Sequence, residues 1–184
     1  NNPRPNIVIC YTSLQARVLY TYTMLSTLFT HPLAFLIFAL GLVLAISVHE
    51  FAHAASADRL GDPTPRSMGR LTLNPLAHLD PLGTLALLFL GFGWGRPVSF
   101  DPYNLRSPRR DSALIALAGP ASNLLFALVL SILLKIFPNE LFVTIGYVLI
   151  SMNITLAVFN LVPVYPLDGE KILGGLLSPT LYRE

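Results

Sequence analysis

The sequence is poor in the residues that usually organise a small soluble domain. It holds one cysteine, Cys10, which excludes an internal disulfide framework and a metal site built from cysteines alone. Charged residues make up only 12% of the 184 residues, where a soluble domain carries about 25%. The net charge of +2 is small and no basic run stands out, so nucleic acid is not an expected partner. Histidine occurs four times, so two histidines close together carry information. No internal repeat is evident.

Apolar residues fill the gap. They make up 53% of the chain, and the mean hydropathy is +0.61. A soluble chain this short cannot hide so much apolar surface, because much of a small protein stays exposed. The expected solvent is a lipid bilayer. Three apolar stretches stand out: 33–57, with Glu50 as its only formal charge; 112–137, with Lys135 near its end; and 141–162, with no charge. At about 1.5 Å per helical residue, each can cross a hydrocarbon core of about 30 Å. Pro138 and Asn139 leave only a tight link between the last two, which are therefore expected to be antiparallel neighbours. A fourth run, 82–94, is too short to cross and reads as a re-entrant or interfacial segment.

The domain organisation follows. Residues 1–30 form a poorly defined N-terminal segment with Met24 as a candidate start, 31–176 form the core, and 177–184 form a C-terminal end that is expected to be truncated. A cleavable signal peptide fits poorly, because the first long apolar run contains the candidate chemistry.

That chemistry is His49-Glu50-Phe51-Ala52-His53. Residues four apart share a helix face, so both imidazoles can bind one metal ion. Glu50 can then act as general base toward water, whose pKa a zinc ion lowers to about 7. Three polar residues in an apolar membrane helix are costly, which favours function over chance. A catalytic zinc usually takes three protein ligands and keeps one position open. His31 lies a membrane thickness away along the first span, and nothing in the sequence positions His78. By spacing alone, Asp168 is no better a third ligand than Asp80 or Glu170, because an Asp-Gly pair such as Asp168-Gly169 is also a common turn.

Three motifs in order carry a resemblance: HEFAH at 49–53, GPASN at 119–123 and FNLVPVYPLDG at 159–169. Together they resemble the site-2 protease family of intramembrane zinc metalloproteases over roughly residues 33–176. The resemblance implies an all-α membrane protein. Its core would be three transmembrane helices. It implies one zinc ion held by His49, His53 and Asp168, with Glu50 as catalytic base, and Asn123 and Asn160 as substrate-binding or site-lining residues. The implied activity is hydrolysis of peptide bonds in or near transmembrane segments of membrane proteins. Such a protein works in the lipid bilayer of a bacterial or archaeal cell. A catalytically inactive relative that binds or scaffolds membrane proteins is the alternative.

Topology follows from needing all ligands at one depth. His49 and His53 lie toward the C-terminal end of the first span, and Asp168 lies just past the third. Both ends face the same side only if 82–94 does not cross, so residues 82–100 are expected to form a re-entrant or β-hairpin-like insertion between the first and second core helices. The connection holds Arg59, Arg66, Arg70, Arg96, Arg106, Arg109 and Arg110, whereas 138–140 holds no basic residue. The positive-inside rule then places the site toward the cytoplasm. The β-compatible run 96–100 is expected to offer an edge for an unwound substrate.

Overall fold

The computed structural model describes residues 27–90 and 93–177. Cys10, Met24 and most of the N-terminal segment lie outside the described residues, as do 178–184. The chain divides into two compact units, 1–37 with 80–95 and 38–79 with 96–184. The main helices are α1 (Pro32–Leu60), α2 (Thr64–Ser67), α3 (Pro81–Leu90), α4 (Pro108–Ile136), α5 (Glu140–Asn160) and α6 (Asp168–Leu176). There is no β-strand among the described residues.

Three helices, α1, α4 and α5, are long and apolar enough to cross a membrane. They coincide with the three apolar stretches of the sequence. Two of them run past the apolar limits, because helical hydrogen bonding continues where hydrophobicity stops. Thus α1 extends through Arg59 and α4 begins before Arg109 and Arg110. The helices fit a membrane protein in the distribution of their side chains as well. Leu36, Leu40, Leu44, Leu125, Leu128, Ile132, Leu141 and Phe142 point outward, while His49, His53, Asn123 and Asn153 are buried. That is the reverse of a soluble helical bundle.

Helix ends are set by local chemistry. Gly61, with φ of +110°, terminates α1. The Asp62 amide donates to the Ala57 carbonyl at 3.0 Å and the Gly61 amide to Asp58 at 3.3 Å, the pairing of a Schellman motif. Asn139 caps α5 by accepting from Leu141 N–H at 3.1 Å. With α4 ending at Ile136 and α5 starting at Glu140, the link is as short as the sequence implied.

Close helix approach depends on small residues, as is usual in lipid. A Cβ on Gly41 would meet Leu149 at 2.6 Å, and one on Gly146 would meet Leu134 at 2.6 Å. Helix α4 also packs against α6.

The 80–95 unit differs from one of the two forms expected. Residues 81–90 are helical, not strand. Pro81 sits at the first helical position, where its missing N–H costs nothing, and Asp80 accepts from Gly83 N–H at 2.7 Å. Residues 91 and 92 lie outside the described residues. The run 96–100 is extended but pairs with no strand among the described residues.

Beyond the end of α1, Asp62 is fully buried. Burial pushes its carboxyl up, but hydrogen bonds from Thr64, Asn104 and Asp101 outweigh this and hold it below the ordinary value. A depressed folded-state pKa stabilises the fold above the unfolded value of about 3.9, and that stabilisation fades as pH falls through the folded value. The melting-temperature gap between wild type and Asp62→Asn should therefore be constant above about pH 5 and close as the pH drops below about 4. Thermal scans across that range check it.

Candidate metal centre

Helix α1 presents His49 and His53 on one face, four residues apart, and both are buried. Their rings are perpendicular, 86° between planes and 4.6 Å between centroids. Their Nε2 atoms lie 3.0 Å apart. Asp168, the first residue of α6, brings Oδ2 to 3.1 Å from His49 Nε2 and 3.3 Å from His53 Nε2. Of the candidates open by spacing, the fold thus brings Asp168 to the histidines. Asp80 caps α3, and Glu170 is not part of the cluster.

Gly169 is not a turn residue here. It is helical and buried in α6, and a Cβ on it would collide with the Leu161 and Val162 carbonyls. The glycine lets α6 start directly against the end of α5, which delivers Asp168.

Proton bookkeeping shows what the cluster can hold. The Ile115 carbonyl can only accept, so His53 Nδ1, 2.7 Å away, must carry the proton. For His49 the chain of assignment is longer. The Leu149 carbonyl takes the Asn153 amide N–H at 2.8 Å, which leaves Asn153 Oδ1 to accept from Asn123 Nδ2 at 2.8 Å. Asn123 Nδ2 also donates to the Ala45 carbonyl at 3.1 Å. Asn123 Oδ1 is thereby turned toward His49 Nδ1 at 2.6 Å, and that nitrogen must donate. Both imidazoles then face Asp168 with bare Nε2 lone pairs.

Three electron-pair donors this close repel unless positive charge sits among them. A proton bridges one gap only, whereas one metal ion meets all three. A tetrahedral zinc with bonds of about 2.0–2.2 Å separates its ligand atoms by roughly 3.3–3.6 Å, a few tenths of an ångström above the distances here. The His49, His53 and Asp168 group therefore fits one zinc ion. Burial alone would raise the Asp168 carboxyl, whereas positive charge on the histidine side, a proton or a metal ion, holds it well below its ordinary range. It offers an anionic oxygen to a metal ion.

Glu50 lies on α1 between the ligands. Its Oε2 accepts from the Val98 amide at 2.8 Å. Buried Arg70 is pulled down by burial and by Arg96, and pushed up by the Glu50 charge, so a guanidinium shares the field of this carboxylate. Gly119 backs the imidazoles: a Cβ there would collide with His53 and lie 2.7 Å from His49 Cε1.

The remaining residues singled out in the sequence fall as follows. Asn123 is fully buried, with both of its N–H groups committed within the protein. Asn160 donates to the Leu156 carbonyl at 3.0 Å, within its own helix. His78 is fully buried and bonds the Thr72 carbonyl at 2.8 Å. Asn153 was missed in the sequence. Its place seven residues before Asn160, about two helical turns along a charge-free stretch, was the available signal.

Orienting partners of ligating histidines typically contribute about 10- to 100-fold in metal affinity. Asn123→Ala should weaken zinc binding by about that factor, and Gly119→Ala at least as much, because the added methyl displaces both rings. Competition against a zinc chelator measures both.

Comparison with known proteins agrees with a zinc site. The chain is 39% identical over 148 residues to the protein named "Putative zinc metalloprotease YwhC" of Bacillus subtilis, a match covering 75% of this chain and 68% of that protein. It is 33% identical over 158 residues to the Rip2 protein of Mycolicibacterium smegmatis, which bears the same descriptive name, covering 81% of this chain and 60% of that one. An archaeal protein so named, MJ0611 of Methanocaldococcus jannaschii, is 38% identical over 93 residues, half of this chain and 49% of its own. No model of a protein family matches, and no solved structure does.

Proposed function

The chain belongs to the zinc metalloprotease family of YwhC and Rip2, and from that footing we propose that it is an intramembrane endopeptidase of the site-2 protease type. It hydrolyses peptide bonds in or near transmembrane segments of other membrane proteins. The observation that carries this reading is the place of the ligand set. His49, Glu50 and His53 lie within an apolar helix fit to cross a membrane, with His49 about 16 Å along the axis from the helix end at Leu60. The substrate bond must come to that depth.

His49, His53 and Asp168 hold the zinc, which when bound supplies Lewis acidity toward water and the peptide carbonyl. Asn123 and the Ile115 carbonyl keep the two imidazoles in the ligating tautomer. Glu50, anchored through Oε2, offers its other oxygen to take a proton from water and pass it to the leaving amine. Asn123 acts through His49, and Asn160 lines the approach to the site. The substrate helix must unwind locally, because its amides are tied up until it does. In a reconstituted system with zinc and a model transmembrane substrate, Glu50→Gln should lower cleavage by about 10²- to 10⁴-fold while zinc stays bound. Cleavage at the wild-type rate in that variant would remove Glu50 from the role.

The 80–95 segment is proposed to be re-entrant. Helix α3 has 10 residues, about 15 Å, half of what a crossing needs. A Cβ on Gly83 would collide with the Trp94 backbone, which supports a chain that turns back on itself. The Arg-rich connection and the metal site then face the cytoplasm of a bacterial or archaeal cell. Single cysteines at Asn104 and Asn139, in a Cys10→Ser background, should label from opposite sides of the membrane. Labelling from one side would rule the topology out.

A further inference from the structure

The segment 96–101 is pinned at both ends and touches Glu50 in its middle. We infer that it is a strap that positions Glu50, and that Asp62 is the residue holding the strap. The inference rests on reading Glu50 as the base.

At its centre, Val98 is buried and its amide donates to Glu50 Oε2 at 2.8 Å. Upstream, the Arg96 amide donates to the His78 carbonyl at 2.7 Å. His78 is itself immobilised, fully buried with its ring on the Thr72 carbonyl. Downstream, the Asp101 amide donates to Asp62 Oδ2 at 2.7 Å. The other Asp62 oxygen takes Asn104 Nδ2 at 2.8 Å, Thr64 Oγ1 at 2.6 Å and the Thr64 amide at 3.1 Å. Asp62 follows directly on the Schellman end of α1, the helix that carries Glu50. The helix and the strap thus form one closed frame.

A glutamate side chain has three rotatable bonds, and burial alone does not choose among its rotamers. The Val98 N–H does. It fixes one carboxylate oxygen and leaves the other for water. The same bond takes the Val98 amide out of use as a strand edge for substrate. Asp62 touches neither zinc nor Glu50, so its part is positioning.

The substitution Asp62→Asn tests this selectively. Three donors meet Oδ1 and one meets Oδ2, so the amide nitrogen of Asn takes the Oδ2 place and faces the Asp101 N–H, donor against donor. The strap loses its downstream anchor. With the full chain, zinc-loaded in lipid, kcat on a model transmembrane substrate should fall on the order of ten- to hundredfold, with KM and bound zinc within about twofold. Amide exchange across 96–101 should accelerate. Thr64→Val, which removes one bond on the opposite oxygen, should keep kcat within about twofold. Val98→Pro deletes the N–H directly and should reproduce the kcat loss with zinc retained, which covers the case of an Asp62 variant that does not fold.

Wild-type kcat in Val98→Pro, or in Asp62→Asn with accelerated exchange, would overturn the strap. So would a change confined to KM. The parallel Glu50→Gln arm separates the two readings. Inactive Glu50→Gln beside fully active strap variants sinks the strap alone, and active Glu50→Gln sinks the base assignment beneath it.

Discussion

Three electron-pair donors converge in a largely buried setting between apolar helices, and the surrounding structure answers that constraint. Two imidazole nitrogens and a carboxylate oxygen lie 3.0–3.3 Å apart, an arrangement that one shared metal ion can satisfy. Every polar group behind them serves to keep protons out of the space between. The Ile115 carbonyl does so for His53 in one step. The Leu149 and Ala45 carbonyls do so for His49 through Asn153 and Asn123. Backbone carbonyls are the fixed points, because they accept and never donate. A buried amide of either orientation would be tolerable in water. In lipid an unpaired one costs several kcal/mol, so the network has one arrangement.

The same economy governs the packing. Without a hydrophobic drive between helices in a bilayer, contact depends on how closely backbones approach. Gly41 and Gly146 bring the spans together, Gly119 makes room for the imidazoles, and Gly169 seats α6 on the end of α5. The last two bear on the candidate metal centre by way of packing: a Cβ at Gly119 would strike the imidazoles, and one at Gly169 would strike the chain against which α6 starts. Leucines and phenylalanines face outward, as suits helices apolar enough to cross a membrane, and add little to specificity.

Much of this was legible in the sequence. The three spans follow from apolar length alone, since a bilayer sets the length a helix needs. The histidine pair follows from helical periodicity. Asp168 did not follow from spacing, because a third ligand comes from a separate element and sequence distance says nothing of its approach. Resemblance pointed to it, and the seating of α6 supplies the physical reason. The insertion was harder. A thirteen-residue apolar run serves a helix or a strand equally well, and Asp80 with Pro81 tips it to a helix. Asn153 went unread because its partner, Asn123, lies on another helix, and spacing within one span does not name it.

By itself, then, the sequence determined what local periodicity and the solvent dictate: three membrane-length helices, the short link between the last two, and a two-histidine face with a carboxylate beside it. The tertiary structure decided which aspartate joins the histidines, which nitrogen of each ring is bare, and what holds Glu50. Those outcomes depend on contacts between residues 48, 74 and 119 positions apart. Periodicity reports on neighbours within a few turns of one helix, and such pairings come only from how the helices pack.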